Sequence, residues 1–269
     1  MLDRPEELRQ AAQLNTRSVT VLALALGLIG TILAGSQAGA VEAVLAASWE
    51  PTFCRSPAGR DKRECLAQTA DRYDAAHFSL HGLWPDNLAD KTAYPCYCGR
   101  GAPVSCRESE APDRDLRLSR ALATKLRRVM PGSMSGLHLH EWTKHGTCYE
   151  TAVDEVADPE DYFSDAIALV GMLNASVVGR LFAESIGERV TRAEIAEAFD
   201  TAFGEGAAER LTIVCTGRGR HAAIAELRIN IAGDITPGSD LGELILAAPT
   251  TATSTNDRSC EGGLVTAVD

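Results

Sequence analysis

A chain of 269 residues with 45% hydrophobic and 23% charged residues has the composition of an ordinary globular protein, neither fibrous nor intrinsically disordered. Its 37 acidic against 26 basic residues leave a formal charge of −11, which excludes broad electrostatic attraction as the way it holds nucleic acid, though not a local cationic site. All eight cysteines lie after residue 50, an even number that points to a disulfide framework built in an oxidising compartment.

Residues 1–18 are polar, and Arg17 precedes the apolar run Val19–Ala34. Ala38-Gly39-Ala40 then offers the small residues a signal peptidase reads, so 1–40 is expected to be a secretory signal peptide with a polar extension. An uncleaved membrane anchor is the alternative. Residues 41–269 are expected to form a single domain. It opens with Ser48-Trp49-Glu50-Pro51 and a short Cys54–Cys65 loop. Ala76–Trp84, AHFSLHGLW, alternates Phe78 and Leu80 with Ser79 and His81, the pattern of a half-buried strand ending at Gly82. Residues 85–115 carry four prolines, two glycines and Cys96, Cys98 and Cys106, and read as a long stapled loop that is ordered and functional.

Leu118, Leu122, Leu126 and Val129 predict a helix over 115–130, stopped by Pro131-Gly132. A second helix follows Gly136. Two or three more are predicted across 161–173, 175–186 and 191–203, the last opened by the capping-box pair Thr191 and Glu194. Leu211–Cys215 and Ala225–Ile231 read as strands flanking a turn at 217–220. The tail from Pro249 on is rich in Thr, Ser and Gly, with Cys260 tied back to the domain. Strands set apart from clustered helices indicate an α+β fold.

The chemistry concentrates in His140–Cys148, HEWTKHGTC. At about 100° per residue, a helix would place His140, Glu141, Lys144 and His145 within an arc of roughly 140°, with Trp142 turned into the core. Two imidazoles, a carboxylate and an ammonium suit proton transfer around an anionic group, and His81 in HGLWP supplies a partner. The stretch departs from the zincin pattern H-E-x-x-H, because Lys144 stands four residues after His140. A metal-dependent hydrolase using His138, His140 and Glu141 is the rival reading. Structural zinc on Cys96 and Cys98 lacks a second cysteine pair to complete it. His77 and His221 carry no functional expectation. Asn174-Ala-Ser176 is a glycosylation sequon that matters only in a glycosylating pathway.

FSLHGLWPD (Phe78–Asp86) and LHEWTKHGTC (Leu139–Cys148) resemble the two active-site segments of the ribonuclease T2 family of secreted endoribonucleases. The resemblance extends over roughly residues 45–262. It implies a central antiparallel β-sheet flanked by helices and stapled by disulfides. It also implies cleavage of single-stranded RNA with no cofactor or metal, through a 2′,3′-cyclic phosphate to 3′-phosphate ends, with low base specificity and with DNA spared. By the same resemblance His145 is the general base and His81 the general acid. His140, Glu141 and Lys144 stabilise the phosphoryl transition state, and Trp84 belongs to a base-binding site. Family likeness favours Cys215–Cys260, a bond from Cys148 to one of Cys96, Cys98 or Cys106, and then Cys54–Cys65. A secreted or periplasmic monomer, without membrane association once the leader is removed, is expected. Leu137 and His138 stand where many members have aromatics, which bears on base preference at the second subsite. A catalytically silent binding protein on the same scaffold is the third reading.

Overall fold

The computed structural model describes residues 41–86, 88, 116–149, 157–236, 238–251 and 260–268. The expected leader and the expected stapled loop with Cys96, Cys98 and Cys106 lie outside the described residues. In chain order the described elements are β1 (Val41–Ser48), α1 (Glu50–Cys54), α2 (Arg63–Leu66), β2 (Ser79–Pro85), α3 (Arg120–Val129), α4 (Leu137–Lys144), α5 (Pro159–Ala175), α6 (Val177–Glu184), β3 (Arg189–Thr191), α7 (Arg192–Phe203), β4 (Leu211–Thr216), β5 (Ala223–Gly233), α8 (Leu241–Ala247) and β6 (Gly262–Leu264). The strands form one sheet in the order β2-β1-β5-β6-β3, with β4 also paired to β5. Its ladders are antiparallel except for the short β5–β6 contact, where Ala223 faces Leu264. The fold is α+β.

β1 has no strand signature of its own, since VEAVLAAS is rich in good helix formers. It is held extended by antiparallel ladders on both sides, to β2 and to β5, and Ala43, Leu45, Ala46 and Ala47 are fully buried. β2 does not end at Gly82 as its alternation predicts. It continues to Pro85 because β1 pairs alongside as far as Ala43, and the proline falls at the end of a strand at the sheet edge, where a missing N–H is tolerated.

The helices begin where side chains satisfy their first N–H groups. Ser119 Oγ accepts from the Leu122 N–H to open α3 at Arg120, later than the apolar spacing suggests. Thr191 and Glu194 form the full capping box of α7. The buried face of α5, from Tyr162 through Leu173, packs on β1 and β2. Trp49, Phe78 and Phe182 form an aromatic cluster with ring centroids 4.6–5.5 Å apart. Each such contact contributes about 1 kcal/mol beyond its buried area. Disulfides join Cys54 to Cys65 and Cys215 to Cys260. Cys148 is also disulfide-bonded, and the three loop cysteines expected to supply its partner lie outside the described residues. The Asn174 amide donates to Phe78 O and accepts from Phe78 N, so the sequon side chain is engaged in holding the start of β2.

Candidate active site

His81 owes its position to an irregularity in pairing. Ala47 faces Leu80 and Ala46 faces Gly82, which leaves His81 as the unopposed residue of a β-bulge. Across β1, Glu226 lies level with Ser48, and β5 bulges beside it, because Val214 faces Glu226 while Cys215 faces Ile224. The outcome is a short hydrogen bond of 2.5 Å between His81 Nδ1 and Glu226 Oε2. Ser48 Oγ also donates to Oε2 at 3.2 Å, and Arg228 Nε donates to Oε1 at 2.6 Å. Burial opposes charge on Glu226, but the His81 hydrogen bond and the charges of His81 and Arg228 outweigh it and bring the carboxyl down to about 2. An ionised carboxylate only accepts, so Nδ1 carries its proton and Nε2 is the atom left to exchange one. Burial by itself lowers the His81 pKa, yet the hydrogen bond and charge of Glu226, with the charge of Glu141, raise it overall.

α4 brings up the second group of residues. Glu141 is 1% exposed, with Oε2 accepting from Trp84 Nε1 at 2.7 Å and Oε1 lying 3.7 Å from His81 Nε2. Burial raises the Glu141 pKa, with His81, the Trp84 hydrogen bond and Lys144 opposing. Gly82 makes this approach possible, since a Cβ there would overlap both Glu141 Oε2 and Trp84 Nε1. The helix ends at Lys144, one residue short of the single polar face that spacing predicts. His145 is its C-cap, with φ −127° and ψ −44°. It is buried, 3% exposed, and stacks on Trp84 with ring centroids 5.4 Å apart. His81 meets the same indole edge-on at 5.1 Å. Burial first, then the charges of Lys144, His140 and His81, depress the His145 pKa to about 3.

His140 is exposed at the rim, and burial, Lys144 and His81 lower its pKa. Trp142 is half-buried and packs edge-on against Tyr162 at 5.9 Å, as its expected core role requires. The Tyr162 hydroxyl donates to Leu83 O at 2.8 Å, linking α5 to the strand that carries His81. His81, Trp84, Glu141 and His145 are thus brought into contact, with His140 and Lys144 within electrostatic range. Sequence reasoning misses Glu226, Arg228 and Ser48. Their signal is faint: Glu226 and Arg228 fall on the polar side of AELRINI, which reads as a solvated face, yet Glu226 is 6% exposed.

The rival metal set does not converge. His138 lines a separate cavity with Leu118, Leu126 and Ser133, while His140 lines one with His81. Among the described residues, the metal-ligating group that lies close together is Glu50, Cys54 and Cys65, and its two sulfurs are bonded to each other.

Glu50, at the start of α1, is 5% exposed. Burial, then the charges of Asp74 and Glu64, push its pKa from 4.5 up to about 8, with Arg72 and His81 opposing. A carboxyl raised on folding withdraws stability as pH rises from its unfolded to its folded value, here between 4.5 and about 8. Glu50→Gln is therefore expected to be more stable than wild type by about 3 kcal/mol at pH 7, at about 1.4 kcal/mol per unit, with little difference at pH 4. Urea unfolding at the two pH values measures this, and equal midpoints at pH 7 would show a solvated carboxyl.

The Ribonuclease T2 family profile matches residues 42–239. Ribonuclease I of Escherichia coli is 29% identical over 208 residues, covering 71% of this chain and 75% of that protein. Extracellular ribonuclease LE of Solanum lycopersicum is 28% identical over 163 residues, covering 58% of this chain and 62% of its own length. A self-incompatibility-associated RNase of Nicotiana alata superposes with a TM-score of 0.50 at 17% identity, covering 84% of this chain and 99% of that one, a likeness of fold.

Proposed function

Because the chain belongs to the ribonuclease T2 family and is an endoribonuclease, we propose that it cleaves single-stranded RNA by metal-independent attack of the 2′-oxygen on its own phosphorus. The observation that carries this reading is the pair of imidazoles on one indole whose pKa values are driven apart. Divergent pKa values sort an acid from a base. His145, neutral above about pH 3, takes the 2′-OH proton. His81, kept charged by Glu226, gives its Nε2 proton to the departing 5′-oxygen.

The 2′-oxygen forms a bond to phosphorus as the bond to the 5′-oxygen breaks, leaving a 2′,3′-cyclic phosphate. Water then opens it to a 3′-phosphate, with His81 accepting the water proton and His145 returning its own to the 2′-oxygen. Lys144 supplies positive charge, and His140 a ring N–H, to the phosphoryl oxygens. A donor placed in this way contributes about 3 kcal/mol to a transition state. Glu141, held by the Trp84 indole N–H and 3.7 Å from His81 Nε2, supports the charged form of His81 beside the phosphoryl group. The exposed part of Trp84 stacks a base. DNA lacks the 2′-OH and is spared.

The disulfides support an oxidising, extracytoplasmic location, reached through a signal peptide ending near Ala40. A monomer with low base specificity overall completes the reading. Incubation with RNA and with DNA in EDTA tests it. Cyclic phosphate ends from RNA alone are expected. Loss of cleavage in chelator would transfer the case to a metal-dependent hydrolase, and intact RNA in every buffer to a silent binding protein.

A further inference from the structure

β5 carries a cation, Arg228, into the candidate active site. In AELRINI, Glu226 and Arg228 share one face of the strand, while Leu227 and Ile229 are buried on the other. Arg228 stands opposite Ala46 on β1, and Ala46 stands opposite Gly82 on β2. A methyl group and a bare glycine therefore fill the row beside Arg228, and its long side chain reaches across them toward β2. Its Cζ lies 5.2 Å from the Trp84 ring centroid, and its Nε donates to Glu226 Oε1 at 2.6 Å. These two contacts hold the guanidinium in place. Glu226 is its one hydrogen-bond partner among the described residues, which leaves both terminal amino groups to donate. The side chain is 45% exposed and lines the same cavity as His81 and His140.

A guanidinium at this place opposes the acid, because its charge lowers the His81 pKa that Glu226 raises. A neutral donor on β5 would satisfy Glu226 Oε1 without opposing His81, so support of Glu226 does not by itself call for an arginine. The groups acting on His81 are Glu226 and Arg228 of β5, Glu141 and His140 of α4, His145 at its end, and Glu50 of α1. Attack by the 2′-oxygen builds a second negative charge on the phosphoryl oxygens. His140 and His145 bring little charge against it, since burial and their neighbours lower both pKa values. The charge of His81 is set against that of Glu226. Permanent positive charge next to the histidines comes from Lys144 on α4 and Arg228 on β5.

We propose that Arg228 is a further catalytic residue, whose terminal amino groups donate to a non-bridging oxygen of the phosphate being cleaved. A fixed guanidinium suits that task, since its donors match phosphate oxygens and its charge does not titrate. The bound phosphate offsets the effect of Arg228 on His81, so the acid holds its proton more firmly once substrate is in place. That the contacted phosphate is the reacting one rests on the proposed cleavage mechanism; that a phosphodiester binds there does not.

Arg228→Gln tests both statements. An amide can still donate to Glu226 from this half-exposed position, so the variant is expected to fold, which circular dichroism checks. With ApA, which holds a single phosphate, kcat/KM is expected to fall at least about tenfold. The alkaline limb of its pH profile should move to higher pH, because the charge that lowers the His81 pKa is gone. Arg228→Lys, which keeps the charge without the fork, is expected to recover part of the rate. A limb that moves to lower pH would mean that the arginine acts only by holding Glu226, and would overturn the proposal. A loss confined to longer RNA would put the guanidinium on a neighbouring phosphate and overturn it as well. Calorimetric binding of 2′-deoxy-ApA, which lacks the attacking hydroxyl, is expected to weaken about tenfold in Arg228→Gln. Equal affinity in the two proteins would overturn the contact whatever the reaction. A difference in affinity without any cleavage of ApA would support the contact and overturn the reaction instead.

Discussion

Replacing His145 with alanine is expected to lower RNA cleavage by at least about two orders of magnitude. The residue is buried against Trp84, near Lys144 and His140, and its pKa of about 3 leaves it unprotonated near neutral pH. That is the state a base needs. Among the described residues the other imidazole on Trp84 is His81, whose pKa is moved in the opposite direction, upward, by Glu226. His81→Ala is expected to lose a comparable amount, and the double variant little more, because the two act in one proton relay. A substrate with an activated leaving group, such as a nucleoside 3′-(p-nitrophenyl phosphate), separates the roles. Its departure needs no proton, so His81→Ala should recover most of its rate and His145→Ala none. The reverse pattern would exchange the acid and the base. Circular dichroism of each variant checks that the fold is kept.

Glu226→Gln should move the alkaline limb of the pH–rate profile to lower pH and reduce the rate by about tenfold or more near neutrality. His81 works as an acid only while protonated, so the rate falls as pH rises through its pKa. Burial depresses that pKa, and the hydrogen bond and charge of Glu226 are the largest influences raising it. The amide keeps a hydrogen-bond acceptor but removes the charge, so His81 loses its proton at lower pH and the limb follows. The acid limb is expected to stay in place. The substitution also affects stability in a defined window. Glu226 is depressed from 4.5 to about 2, so its contribution is present above pH 4.5 and is lost as pH falls toward 2. A profile that drops in height without moving its alkaline limb would reduce Glu226 to a structural role.

Much of the fold is legible in the sequence because local chemistry agrees with the final structure. The capping box at Thr191, the helical apolar spacing of α5 and the alternation in AELRINI each describe an element whose neighbours reinforce it. β1 is not legible. Its alanines favour a helix in isolation, and only the strands on either side of it supply the hydrogen bonds that make it extended. The end of α4 is misplaced by periodicity for a related reason. Spacing carries the helix through His145, but the chain leaves it there and enters Gly146, where any side chain would overlap the Trp142 ring.

The sequence by itself determined which chemical groups are present and which are bound together locally. HGLW, HEWTKHG and the cysteine spacing specify a histidine on a strand, two more on or beside a helix, and a framework held by disulfides. The tertiary structure decided what those groups can do. Two bulges bring His81 to Glu226, residues 145 positions apart, and burial against Trp84 strips His145 of its proton. Protonation depends on solvent, charge and hydrogen bonds from every side, and these are properties of packing that no linear pattern contains.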